Sequence, residues 1–461
     1  MSSVADVGRT IQTLFGEKAQ EVAKQTGLVK RVSKLTGSLF LVILVCGFIE
    51  NPAASYSYLA EFAYDLGLEI TRQGLQERIV QGEGLAFMRQ MFSVVLESFR
   101  SKLGVDVNLL NQFPAVYLHD STALLLPNKL AEIYPSTNQG KAKGSKAGLK
   151  LQVMWDWLHN QITKLTIHNG KESDAGYKLD LEGLPKGSLI MFDLGYFVLE
   201  TFKRIIDHQM WWVSRLDLKC CVYLPNELSE FNLLSHLRKS KEIWTDLELE
   251  VGKKAHLLGR VIVVRLPKAV VEERLRKANA SAKRRGYKIS DTKRESLQYN
   301  LYFTNLSAAQ MSSSQVALLY GIRWQIELVF KLSKSEMELD HILGRTEARV
   351  LVEIYAKLIG LILFYYLTAP LRINEIMVGE EKRDNEISYV RAIQTYKRRA
   401  LELGQGLSGQ KELSDVLQEL RELWERFGKR DTRRKRTTTF QQLAQEQPLL
   451  GGEDKKEALS A

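Results

Sequence analysis

Two aspartates stand where apolar runs turn polar: Asp120 closes AVYLHD and Asp193 sits in IMFDLGYF. An unpaired carboxylate against apolar strands is costly unless it is hydrogen-bonded or bound to a cation. One strand-end aspartate of this kind is commonly a satisfied cap. Two of them plus a glutamate on a later helix are a different object, because convergent oxygen ligands suit Mg2+, a hard cation that keeps waters and binds phosphates. Glu327 is the third candidate, so Asp120, Asp193 and Glu327 are the expected metal ligands. Two such ions about 4 Å apart would activate a water or a 3′-hydroxyl and stabilise the leaving oxygen of a phosphodiester. Mn2+ could substitute.

Glu327 lies in YGIRWQIELVFKLSK, residues 320–334. At about 100° per residue, Tyr320, Arg323, Glu327 and Lys334 share one side of a helix, while Ile322, Ile326, Leu328, Val329 and Leu332 take the other. Taken alone this is equally an amphipathic helix with an ordinary Arg323–Glu327 pair. Ser312 and Gln315 make a capping box that would open the helix.

The flanking elements can be read coarsely. Residues 1–105 read as all-helical, and 54–80 has the shape of a helix-turn-helix. There Leu59, Phe62 and Ala63 form an apolar face, Gly67 supplies the turn, and Thr71 caps a second helix carrying Arg72, Gln73, Gln76 and Arg78 outward. Two packed helices without a DNA role would look similar. Residues 115–122, 149–157, 161–169 and 188–197 read as strands of one sheet, the middle two as a hairpin. GKAKGSKAGLK (140–150) reads as a mobile basic loop and does not match a phosphate-binding P-loop. Residues 216–311 form a second β-rich stretch with strands in 256–267 and 297–306. Between these, residues 274–290 carry Arg274, Arg276, Lys277, Lys283, Arg284, Arg285 and Lys288 without an acid, either a DNA-facing patch or a solvated helix face. From 347 to 428 long helices are expected, followed by basic KRDTRRKR (429–436) and a disordered end.

The spacing Tyr320, two residues, Arg323, three residues, Glu327, six residues, Lys334 matches the Y-R-E-K signature, and the chain resembles the DDE transposases of bacterial insertion sequences, in the insertion-sequence-four family. HDST around Asp120 resembles the first catalytic block of that family, Asp193-Leu194-Gly195-Tyr196 its D-x-G-Y block, and VSR (213–215) the strand that follows. The resemblance covers about residues 30–370. It implies an α/β fold: an RNase H-like core in two parts (106–215 and 312–370), interrupted by a β-rich insertion (216–311). A helical DNA-binding domain (1–105) would precede the core and a helical region (371–461) that pairs subunits would follow it. It also implies binding of inverted transposon ends and target DNA, Mg2+-dependent cleavage and strand transfer, and a homodimeric paired-end complex. Arg323 and Lys334, with Tyr320, would then hold phosphates beside the carboxylates. The late-insertion tryptophan that stacks on a flipped base in relatives is missing here; Tyr287, Tyr299 or Tyr302 could substitute but read more simply as strand packing, and Trp324 is the best stacking candidate.

Bulk composition agrees with this reading. A chain of 461 residues has room for two or three domains, and its net charge of +11 suits a polyanionic partner, although a ribosomal or membrane-surface protein could share it. Cys46, Cys220 and Cys221 supply neither a disulfide framework nor a zinc quartet, and the adjacent pair reads as strand packing in a reducing cytoplasm. The apolar runs 38–49 and 358–370 fall short of the ~20 residues of a membrane span, and the N-terminus lacks a basic-then-apolar signal pattern. The rival function is a catalytically silent, transposase-derived or helix-turn-helix DNA-binding protein, and a weaker one is a nuclease that cuts without joining.

Overall fold

The computed structural model describes residues 4–31, 34–99, 108–137, 145–216, 219–377 and 387–429. Residues 140–144 of the basic loop expected at 140–150, residues 430–436 of the basic run and the polar end lie outside these residues, whereas 147–150 open a strand rather than continue a mobile loop.

The chain opens with α1 (Val4–Thr13), which passes through a π-turn into α2 (Ala19–Gln25). α3 (Gly37–Glu50), α4 (Tyr56–Asp65), α5 (Arg72–Val80) and α6 (Gly82–Ser98) follow. Next come strands β1 (Val116–Leu126), β2 (Ala147–Asp156), β3 (Gln161–Asn169) and β4 (Leu189–Phe192), helix α7 (Leu199–Asp207), and β5 (Trp211–Arg215). The intervening β-rich stretch holds β6 (Val222–Tyr223), α8 (Leu233–Lys239), β7 (Trp244–Val251), β8 (Leu257–Arg265), α9 (Lys268–Arg284), α10 (Asp291–Ser296) and β9 (Tyr299–Thr304). The chain then continues through α11 (Ser313–Tyr320), α12 (Gln325–Ser335), α13 (Glu347–Met377), α14 (Tyr389–Arg398), α15 (Ala400–Leu407) and α16 (Leu413–Phe427). The molecule is mixed α/β, with a large sheet and helical ends.

Two compact units divide these elements. The first gathers the described residues of 1–106, 121–172 and 327–436; the second gathers those of 107–120 and 173–326.

In the first unit α13 is the central rod, packed by α3, α6 and β3. By length and composition its Glu347–Leu371 segment could cross a membrane, yet 94% of its most apolar window is buried inside the protein. Three buried charges nevertheless sit on it, one turn apart. Lys357 Nζ lies 2.9 Å from Glu353 Oε1 and donates to the carbonyls of Glu338 (3.0 Å) and His341 (3.3 Å). Arg349 Nη2 is 3.7 Å from Glu353 Oε2 and donates to the Ala54 carbonyl at 2.6 Å. Burial pushes both cations below their ordinary pKa values, against the pull of Glu353. The β2–β3 hairpin turns at Asp156, whose Oδ2 lies 2.7 Å from His159 Nδ1. Between α4 and α5, Gly67 takes φ +73°, which favours glycine, and the Thr71 hydroxyl accepts from the Gly74 amide, so the turn and the cap form as read.

In the second unit the strand order runs β1-β4-β5-β9-β8-β7-β6. β1, β4 and β5 are parallel, and α7 makes the β4–β5 crossover, laying Phe202 on Trp212 with ring centroids 5.1 Å apart. β4 is buried along its whole length, as suits a central parallel strand. β5 pairs antiparallel with β9, so the β-rich stretch extends the same sheet and is anchored at adjacent strands. Cys220 and Cys221 precede β6 and are half-buried, so strand packing does not describe them.

Candidate active site

Asp120 and Asp193 come from neighbouring parallel strands. The β1–β4 register ends with His119 opposite Phe192, so the residue that follows the ladder on each side is an aspartate. Asp120 is not at the end of its strand as the sequence suggested. β1 runs on to Leu126, and only its pairing with β4 stops at His119. Asp193 opens the 3-10 turn Leu194–Tyr196 from extended backbone, without a side-chain capping bond, so the turn does not consume its carboxylate.

Residues 313–335 correct the picture of one continuous α-helix. The capping box at Ser312 and Gln315 starts α11, but Gly321–Trp324 tightens into a 3-10 turn before α12 resumes. At 3.0 residues per turn, four residues advance the helical phase by roughly 80° more than an α-helix would. Leu328, expected on the apolar side, is 37% exposed.

The side chains of this segment reach the strands that carry the acids. Tyr320 is buried, and its hydroxyl donates to the Phe192 carbonyl at 3.1 Å, one residue before Asp193. Burial pushes its phenol well up, against Arg323 and Arg215, which pull it down, while Asp193 adds to the rise. Arg323 Nη1 lies 3.2 Å from Asp120 Oδ2, and both side chains keep some exposure, 14% and 20%. The guanidinium also stands 5.9 Å from the Tyr320 ring centroid. Glu327 is exposed on α12, four residues past Arg323, and Trp324 is half-buried between them. Within the first unit Lys334 Nζ donates to the Ala123 carbonyl of β1 at 2.9 Å. Among the described residues no three His, Cys, Asp or Glu side chains stand together as a ready cation cage.

On α5, Arg72, Gln73 and Gln76 are exposed, but Arg78 turns inward rather than outward, donating to the Leu28 carbonyl at 2.9 Å. Arg284 and Arg285 are exposed at the end of α9. Farther back on that helix, Arg276 and Lys277 are engaged by Glu273.

Sequence reasoning missed the residues that hold this site in place. His119 is buried, its ring stacked on Tyr177 (5.3 Å) and edge-on to Tyr196 (4.8 Å). The Tyr196 hydroxyl donates to Asp174 at 3.0 Å. Arg260 on β8 is bound to Asp246 on β7 and donates to the Met311 carbonyl at 2.6 Å, while Ser313 donates to the same Asp246 at 2.5 Å. Burial raises the Asp246 carboxyl, but the hydrogen bonds from Arg260 and Ser313 outweigh it and hold the group below its usual range. This staple fixes the start of α11. Its sequence signal is Arg260 inside the otherwise uncharged run Leu257–Val264 of β8.

Residues 111–363, more than half of the chain, match the family described as the transposase DDE domain. The chain belongs to the DDE transposases. This transposase is 26% identical over 445 residues to the transposase for insertion sequence element IS231B of Bacillus thuringiensis subsp. berliner, covering 91% of each chain. It is 28% identical to that of IS231C from the same subspecies over 396 residues, 81% of each, and 23% identical to that of IS1151 of Clostridium perfringens, covering 91% and 92%. A cryo-EM structure of the piggyBac transposase synaptic complex with hairpin DNA aligns over 90% of this chain and 85% of that one at 11% identity, but a TM-score of 0.44 carries no weight.

Proposed function

We propose that this transposase binds the inverted ends of its own element, cleaves them and joins the freed 3′ ends to target DNA, using an RNase H-like core. The observation that carries the reading is the pair Asp120 and Asp193, adjacent where the β1–β4 ladder ends, in a chain of this family. The family implies a divalent cation, and hard carboxylate oxygens on adjacent strands fit Mg2+ or Mn2+. Asp120, Asp193 and Glu327 would hold it, one ion or two. When bound it would supply Lewis-acid activation of the attacking water or hydroxyl.

The chain's own residues do the rest. Arg323 keeps Asp120 compensated, and once a cation takes that carboxylate the guanidinium is available to a phosphate. Tyr320 fixes the carbonyl before Asp193 and so acts as a positioning residue. Lys334 and Trp324 serve the DNA terminus, the one by charge and the other by stacking. Residues 1–105 act as the DNA-binding domain, with Arg72 and Gln73 on the end sequence, and Arg284 and Arg285 hold DNA from the insertion. The 371–461 region pairs two subunits in the complex of two ends. The protein works in the cytoplasm.

The test is a cleavage and strand-transfer assay on paired element ends with Asp120→Asn, Asp193→Asn and Glu327→Gln. Each should bind ends and fail to cut. A variant that cuts at the wild-type rate in Mg2+ removes its residue from the metal set. A wild-type protein that binds ends but never cuts would favour the silent DNA-binding alternative.

A further inference from the structure

Resting on the end-binding reading above, the geometry points to a second DNA contact beside α5: a cationic cavity that seats one or two backbone phosphates and so sets how the exposed face of α5 meets the duplex. The cavity, about 210 Å³, lies where the turn after α2 meets the α5–α6 junction, and is lined by Gly27, Leu28, Lys30, Arg31, Arg78 and Glu83, among others. Its charge is three cations against one acid.

That acid is already engaged. Glu83 is held below the usual carboxylate range first by a bond to its own backbone amide and then by Lys30, whose Nζ lies 3.2 Å away. It therefore serves the first turn of α6 and orients Lys30, leaving Arg31 and Arg78 to set the sign of the cavity. The Arg78 bond to the Leu28 carbonyl ties the turn carrying Lys30 and Arg31 to α5, 50 residues further along the chain. The same helix presents Arg72, Gln73 and Gln76 to solvent. A rigid link between a basic turn and a polar helix face is what a duplex needs if phosphates are to fix register while side chains read bases. The cationic lining suits a phosphate, and Lys30 and Arg31 are exposed, the Lys30 side chain at 73%.

Lys30→Ala/Arg31→Ala, both surface changes, is measured by anisotropy against a duplex of the terminal repeat and a scrambled duplex of equal length, over a range of salt. Expected is about a five- to tenfold loss on both duplexes alike, with the slope of log affinity against log salt shallower by about 0.9 for each phosphate lost. The charge-preserving Lys30→Arg/Arg31→Lys variant should restore both. An unchanged slope in a wild type that does bind its ends, or a loss confined to the terminal repeat, overturns the phosphate seat and leaves the end-binding reading standing. If the wild type itself does not tell the repeat from the scrambled duplex, the end-binding reading fails instead, and this proposal falls with it.

Discussion

Two of the carboxylates that this protein sets against cations differ in access to water. Asp120, beside Arg323, keeps 20% of its side chain exposed, and its partner keeps 14%. Glu353, between Arg349 and Lys357, is 1% exposed with partners at 6% and 0%. In a wet pair the cation can be exchanged for another, because solvent compensates both groups while they part. In a dry group of three, removing one member strands a charge in low dielectric. The first arrangement suits a site that must take up a metal and release DNA; the second suits the middle of a rod.

The largest effect expected from this contrast is on chemistry. Asp120→Asn should lower cleavage by about a thousandfold or more, since metal stabilisation of the transition state amounts to several kcal/mol. Its unfolding midpoint in urea should stay near the wild-type value. A collapse of stability at Asp120 would mean that this carboxylate is structural after all.

Glu353→Gln should behave in the opposite way, losing about 3–5 kcal/mol of stability because Lys357 and Arg349 remain buried without their counter-charge. The triple change Arg349→Met/Glu353→Leu/Lys357→Met should recover most of that loss, as apolar residues of similar volume often replace buried ion groups. Denaturant unfolding of both proteins decides the point: a triple variant as unstable as the single one would show that the carbonyl bonds to Ala54, Glu338 and His341 matter more than the charges.

A third, half-buried pair, Asp156 with His159, should give the smallest effect, visible only through pH. The hydrogen bond to Asp156 raises the His159 pKa, with burial opposing it. Its stabilisation is therefore fully present below the unfolded value of about 6.5 and lost as pH rises through the higher folded value. The stability difference between wild type and His159→Ala should be greatest near pH 6 and should shrink toward pH 9. A difference that grew with pH would reverse the assignment.

What the sequence made legible was local. The Gly67 turn, the Thr71 cap, the box at Ser312 and Gln315 and the 161–169 strand each depend on residues a few positions apart, and each forms as read. The features that differed are set by distant partners. β1 extends past Asp120 because it has β2 as its neighbour on the side away from β4, and Arg78 turns inward to a carbonyl 50 residues away. The 3-10 turn at Gly321–Trp324 escaped because a periodicity argument assumes one pitch throughout. Asp120 and Asp193 could be singled out by residue type, but their adjacency is a matter of strand order, which no local pattern encodes.

The direct ladder between β5 and β9 has a consequence for evolution and engineering. Val213 faces Thr304 and Arg215 faces Tyr302, so the segment between them begins and ends on neighbouring strands. Its length can drift without moving either anchor, much as a cassette seats in a fixed socket. The constraint on any replacement is the clasp at the mouth of α11: a shortened cassette lacking β7 and β8 would also lack Asp246 and Arg260, and would have to bring its own donor to the Met311 carbonyl and its own acceptor to Ser313.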